Sequence, residues 1–194
     1  MTAPFSRIAV IGLGLLGGSV ARAIAACLPD AVTTGFDADP QVRARARAIG
    51  LVDTVAETAG DAVRAADLLV LCVPVGAMGA AATTLAADLP AGAIVTDVGS
   101  SKASVARPLA EALPDHVVIP AHPVAGTEQS GPDAGFATLF RNRWCIVTPP
   151  EGVDPTALAR LVGFWEALGA RVETMDAEHH DRVLAVTSHL PHLI

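Results

Sequence analysis

No tyrosine occurs in the 194 residues, and there is one lysine, Lys102. The first absence rules out a Tyr-x-x-x-Lys acid–base pair and, with it, short-chain dehydrogenase chemistry. The second leaves residues 165–185 without a lysine. That disfavours β-hydroxyacid dehydrogenases, which place a catalytic lysine on a helix after the nucleotide domain. The three cysteines, Cys27, Cys72 and Cys145, are far apart, odd in number and set among apolar residues. They read as buried thiols of a reducing, cytoplasmic compartment and not as a disulfide frame or metal site. Basic residues are outnumbered by acidic ones, 13 to 20, for a net charge of −7. Aromatics are only 4% and no basic stripe is interleaved with them, so a nucleic-acid surface is not expected. Residues 68–87 carry no charge and reach transmembrane length, but Pro74, Gly76 and Gly79 interrupt them. A buried strand, a turn and a helix account for that run better than a membrane span.

Hydrophobic residues make up 52% of the chain and charged residues 17%, as in a globular protein. Its most informative stretch reads I-A-V-I-G-L-G-L-L-G-G-S over residues 8–19. Residues 8–11 form a short buried strand, and an alanine-rich helix runs over 15–28. Between them Gly12, Gly14 and Gly17 have G-x-G-x-x-G spacing. Gly12 permits the tight turn, Gly14 lets a pyrophosphate approach the backbone, and Gly17 lets the helix pack on the sheet. The helix start at Leu15 and Leu16 offers N–H groups to phosphate. A second strand over 31–36 ends at Asp37, where a carboxylate accepts from both ribose hydroxyls and repels a 2′-phosphate. The cofactor indicated is NAD and not NADP. Arg7 and residues 21–23 imitate a secretory signal, but the glycines break what would be its apolar helix.

The alternation continues: helix over 40–50, an extended piece over 51–55, a short helix over 61–66, strand over 68–73, helix over 76–88, strand over 93–97. This predicts an α/β fold, a doubly wound, mainly parallel Rossmann-type sheet with its ligand site at the carboxyl ends of the strands. Arg43, Arg45 and Arg47 read as a solvated helix face. Val73 and Pro74 lie where a dinucleotide crosses a strand end. So do Gly99 and Ser100, with Ser100 towards the nicotinamide; Ser100 or Ser101 is also a candidate helix N-cap. A strand over 116–119 leads to His122, framed by Pro120 and Pro123. Neutral imidazole, with a pKa near ~6.5, suits a general base. A further strand spans 144–148, a helix 155–168 and a last strand 170–174. His179, His180, His189 and His192, with Asp176 and Asp181, invite a metal reading. No H-E-x-x-H is present, no cysteine is near and Pro191 disrupts helical spacing, so no metal is assigned.

D-V-G-S-S-K (97–102), H-P-V-A-G-T-E-Q-S-G (122–131), N-R-W-C-I-V-T-P (142–149) and S-H-L-P-H (188–192) follow the glycine motif in order. In these the chain resembles the prephenate/arogenate dehydrogenases of tyrosine biosynthesis. The resemblance implies a nucleotide domain over 1–175 and, over 176–194, the first helix of a helical dimerisation and substrate domain that the sequence cuts short. It implies NAD-dependent oxidative decarboxylation of prephenate, a small anionic cyclohexadienyl substrate, by a homodimer. The same reaction on arogenate, and a non-catalytic NAD-binding module, stand as alternatives. The implied roles are these: His122 takes the proton of the C4 hydroxyl, and Ser100 hydrogen-bonds that hydroxyl or His122. Thr127 and Glu128 line the substrate pocket, and Ser188 and His192 reach it from the last helix.

Overall fold

The computed structural model describes residues 3–185. At its centre β1 (Arg7–Ile11) and β4 (Leu68–Leu71) run parallel, with Val10 opposite Val70. All four residues of the L-L-V-L strand are buried. Pleating sends Leu68 and Val70 to one face and Leu69 and Leu71 to the other. The two pairs join separate hydrophobic clusters, one on each side of the sheet. That is why the run is continuously apolar and not alternating.

Strands β2 (Val32–Phe36), β3 (Thr54–Val55), β5 (Ile94–Asp97) and β6 (Val117–Val118) complete a six-stranded sheet. Its order is β3-β2-β1-β4-β5-β6 and every pair is parallel. The chain reverses its direction of winding between β1 and β4. In such sheets the ligand crevice lies outside the carboxyl ends of the strands at that reversal. Helices α1 (Leu15–Cys27) and α6 (Pro155–Ala167) cover one face; α3 (Ala59–Val63), α4 (Met78–Leu85) and α5 (Ala103–Ala112) cover the other. Helix α2 (Pro40–Ala48) starts on the Asp39 carboxylate with proline at its first turn, and α6 starts likewise on Asp154. The doubly wound fold expected from the sequence is therefore present. Residues 68–87 resolve into β4, a 3-10 turn at Val75–Ala77 and α4, shorter than the expected helix over 76–88. Among the described residues no helix is long and apolar enough to cross a membrane.

The structure departs from the sequence expectation after β6. The strand expected over 116–119 stops at Val118 in the large sheet. Pro120 has no N–H to continue the ladder, and its carbonyl instead accepts the Thr148 N–H at 2.9 Å. The chain then enters a second sheet as β7 (Ala121–Pro123), beside β8 (Trp144–Val147) and β9 (Arg171–Thr174). Strand β7 is antiparallel to β8, with His122 opposite Ile146, so His122 sits inside a strand and not beyond its end. Helix α7 (Ala177–Leu184) follows β9, starting on the Asp176 carboxylate, which accepts the His179 N–H at 2.8 Å.

One buried ion pair joins the two sheets. Asp97, at the end of β5, and Lys102, ahead of α5, are both 0% exposed and in direct contact through Oδ2 and Nζ. Asp97 Oδ1 accepts the Ala121 N–H at 3.2 Å, and Lys102 Nζ donates to the Ala121 carbonyl at 2.7 Å. The pair thus holds both backbone groups of the residue before His122. Burial pushes the Asp97 carboxyl up and the Lys102 ammonium down; each opposes the other's shift by charge and hydrogen bonding. Removing one partner leaves a buried charge uncompensated. Lys102→Met is expected to destabilise the protein by about 3–5 kcal/mol, read from urea unfolding. A loss below about 1 kcal/mol would contradict this account of the pair.

Candidate active site

The glycine motif is built by contact. Gly12 has φ 94°, a left-handed conformation that favours glycine, and its N–H donates to the Phe36 carbonyl at 2.8 Å. A Cβ on Gly17 would collide with the carbonyl oxygen of Gly12, so the helix can approach the turn only without one. At Gly14 a Cβ would meet nothing within 4 Å, because that position faces the open crevice. Gly14 is also the N-cap of α1 and brings no side-chain acceptor. The first N–H groups of the helix are therefore available to an anionic ligand.

Asp37, just past β2, secures this turn from the other side. Its Oδ2 accepts the Leu13 N–H at 2.8 Å and its Oδ1 accepts the Asp39 N–H at 2.9 Å. Arg43 bends back from α2, donating to the Asp37 carbonyl at 2.7 Å and lying over the Phe36 ring. Arg45 pairs with Asp133, and Arg47 with Glu57. Arg45 and Arg47 are exposed and their ion pairs lie at the surface, as expected of a solvated face; Arg43 alone turns in and is half-buried.

Two clefts open along the strand ends. The first, about 580 Å³, includes Gly12, Gly14 and Asp37 in its walls. The second, about 460 Å³, includes Leu15, Leu16, Gly99, Ser100 and His122. Gly14, Cys72, Val73 and Pro74 line both, so the clefts adjoin at the glycine turn. The fit to a dinucleotide is direct. The acidic residue faces the first cleft, a Cβ-free anion cradle stands at the junction, and the candidate base faces the second. Of the expected cofactor residues only Gly17 lines neither cleft; its part is packing. Burial pushes the Cys72 thiol well up, and the Asp97 carboxylate adds to the shift, so this cleft-wall cysteine is no thiolate nucleophile.

His122 is 8% exposed. Its Nδ1 lies 2.8 Å from His180 Nε2, and the two rings meet edge-on. His180, 0% exposed, has its Nδ1 2.7 Å from Asp181 Oδ1. That carboxylate also accepts the N–H of Lys102 at 2.8 Å, the N–H of Ala103 at 3.0 Å and the Ser101 hydroxyl at 3.3 Å. Burial raises the Asp181 carboxyl, but the Lys102 N–H, His180 and the Ala103 N–H outweigh it and hold it below the usual carboxylate range. The start of α5 is therefore capped by Asp181 from α7, where sequence reasoning looks to Ser100 or Ser101.

His180, Asp181, Asp97 and Lys102 were not among the expected site residues. A histidine–aspartate pair beside a helix start was visible, but nothing local places it against a histidine 58 positions away. Thr127 and Glu128 lie exposed on the loop after β7, outside both sets of cleft-lining residues. Ser188 and His192 lie outside the described residues.

Comparison with known proteins agrees with this architecture. Residues 20–174 match the family model described as the nucleotide-binding domain of prephenate dehydrogenase. A cyclohexadienyl dehydrogenase of Zymomonas mobilis is 50% identical over 190 residues, which are 98% of this chain and 65% of that protein. A prephenate dehydrogenase of A. aeolicus, solved with hydroxyphenyl propionate and NAD+, superposes with a TM-score of 0.90 at 31% identity, covering 97% of this chain and 66% of that one. An arogenate dehydrogenase of Synechocystis gives 0.88 at 31% identity, with the same coverage of both chains. The chain thus spans about two thirds of the length of these relatives. By its matched domain, its motifs and its fold, this chain belongs to the prephenate dehydrogenase family.

Proposed function

We propose that this protein carries out the NAD-dependent oxidative decarboxylation of prephenate to 4-hydroxyphenylpyruvate, a step of tyrosine biosynthesis. The observation that carries the proposal is the placement of Ser100 and His122 on one cleft, continuous through Gly14, Val73 and Pro74 with the cleft that Asp37 faces. NAD bound along the two clefts would supply the hydride acceptor. Gly14 and the start of α1 would hold the pyrophosphate, Asp37 the adenosine ribose, and Gly99 and Ser100 the nicotinamide end. His122 accepts the proton of the C4 hydroxyl, and Ser100 orients that hydroxyl. Loss of the ring carboxylate as carbon dioxide makes the ring aromatic, which drives the reaction. The protein's task is therefore to orient the substrate and deprotonate it.

Arogenate is the second substrate considered. The Zymomonas and Synechocystis relatives are named for cyclohexadienyl and arogenate substrates, and the two substrates differ only by keto or amino in the side chain. Thr127 and Glu128 would reach the substrate from the loop beyond Pro123 and Ala125, which themselves line the second cleft. The nucleotide unit is assigned to 1–175. Residues from 176 on would open a helical domain that completes the substrate pocket and forms a homodimer. A cytoplasmic location fits three free cysteines.

Two substitutions test these roles. His122→Asn is expected to lower kcat by about 10²–10⁴-fold while NAD affinity, read by fluorescence titration, is kept. Retained turnover would remove His122 as the base. Asp37→Ser is expected to narrow the NAD-over-NADP preference in kcat/KM by at least about tenfold. An unchanged ratio would take Asp37 out of cofactor selection.

A further inference from the structure

The contact between His122 and His180 fixes more than a position. Two ring nitrogens 2.8 Å apart share one hydrogen, so one ring donates and the other accepts. Which one donates is decided at the far end of the chain of contacts. The Asp181 carboxylate receives donors from Lys102, Ala103 and Ser101 in addition to His180. An ionised carboxylate only accepts, so the hydrogen between Asp181 and His180 belongs to His180 Nδ1. Neutral imidazole then has its lone pair at Nε2, the atom that faces His122. The hydrogen between the rings must therefore come from His122 Nδ1. That places the His122 lone pair at Nε2.

We propose that His180, oriented by Asp181, is a positioning residue that holds His122 in its Nδ1–H tautomer and so makes Nε2 the proton-accepting atom. The proposal rests on His122 being the base, as assigned above. When Nε2 takes the hydroxyl proton, His122 becomes an imidazolium whose Nδ1–H already points at the His180 lone pair. The Asp181 charge stands behind that lone pair. No group has to turn during the step, which is the value of a preorganised base. The same arrangement in serine proteases, a carboxylate fixing a histidine tautomer, is worth about 10⁴-fold in kcat when the carboxylate is made an amide. Here an intervening imidazole carries the effect from carboxylate to base. The other charged groups behind β7, Asp97 and Lys102, are engaged with each other and with the Ala121 backbone.

The inference also gives α7 a second task. The one carboxylate that caps α5 also sets the tautomer of the base. A shift of α7 along α5 would disturb both at once.

The direct test is 15N-detected NMR of histidine-labelled protein, in which protonated and unprotonated ring nitrogens resonate far apart. His122 is assigned by the signals missing in His122→Asn. The expected result is a protonated Nδ1 and an unprotonated Nε2 at neutral pH; the opposite tautomer would overturn the proposal. This readout needs no substrate, so it stands or falls separately from the assignment of prephenate as substrate. Kinetics supply the second arm. His180→Gln keeps a carbonyl that can accept from His122 Nδ1, whereas His180→Leu fills the space without an acceptor. With KM for NAD unchanged in both, kcat should fall by about 10²-fold or more in the leucine variant and stay within about tenfold of the parent in the glutamine variant. Equal kcat values in the two variants would reduce His180 to packing.

Discussion

The contact of Lys102 with Asp97 is the interaction on which the site depends. It lies where three parts of the fold meet: the end of β5, the approach to α5 and the first residue of β7. Neither charged group reaches solvent, and each hydrogen-bonds the backbone of Ala121, while Asp97 Oδ2 also accepts the Gly99 N–H at 2.7 Å. Buried ion pairs are weak evidence for stability, because desolvation offsets attraction. What this one supplies is location. A parallel sheet and a mixed sheet have no shared ladder to register them. The pair provides that registration one residue before the proposed base.

The rest of the site follows from the winding of the sheet. At the reversal between β1 and β4 the connections leave in opposite directions and the strand ends are left open. The glycine turn after β1 forms one wall of that opening, and Val73 and Pro74 after β4 another. Asp37 after β2 and Ser100 after β5 stand on either side. Their order along the crevice is the order of the sheet, so one strand arrangement would set the order of the adenosine, pyrophosphate and nicotinamide contacts proposed above. Helix α7 closes this frame from outside the large sheet, through the carboxylate of Asp181.

Much of this was legible in the sequence where local chemistry decides structure. The glycines, the apolar runs of β1 and β4 and the acidic residue after β2 each announce themselves by spacing, because each answers a constraint within about thirty residues. His122 was legible as a candidate by its setting between prolines. What surrounds it was not. The isolated lysine of the sequence is a buried structural cation whose partner Asp97 is near, but whose second task at Ala121 depends on β7. Strand β7 is three residues long and is defined only by its pairing with β8, more than twenty residues later. The His180–Asp181 pair resembled a possible metal ligand set. Only the packing of α7 on α5 shows that its partners are another imidazole and a helix N-terminus. Periodicity carries no trace of such contacts, since they are made by single side chains across the fold.

On the reading proposed above, the two clefts are one dinucleotide track that ends at His122, with NAD taking the hydride and His122 the hydroxyl proton of a cyclohexadienyl alcohol. The most direct measurement is the absorbance of reduced nicotinamide formed by the full product of the gene, with NAD and either prephenate or arogenate. Saturable reduction of NAD with at least one of the two, accompanied by release of carbon dioxide, is the expected result. Tight NAD binding with no reduction from either substrate would contradict it.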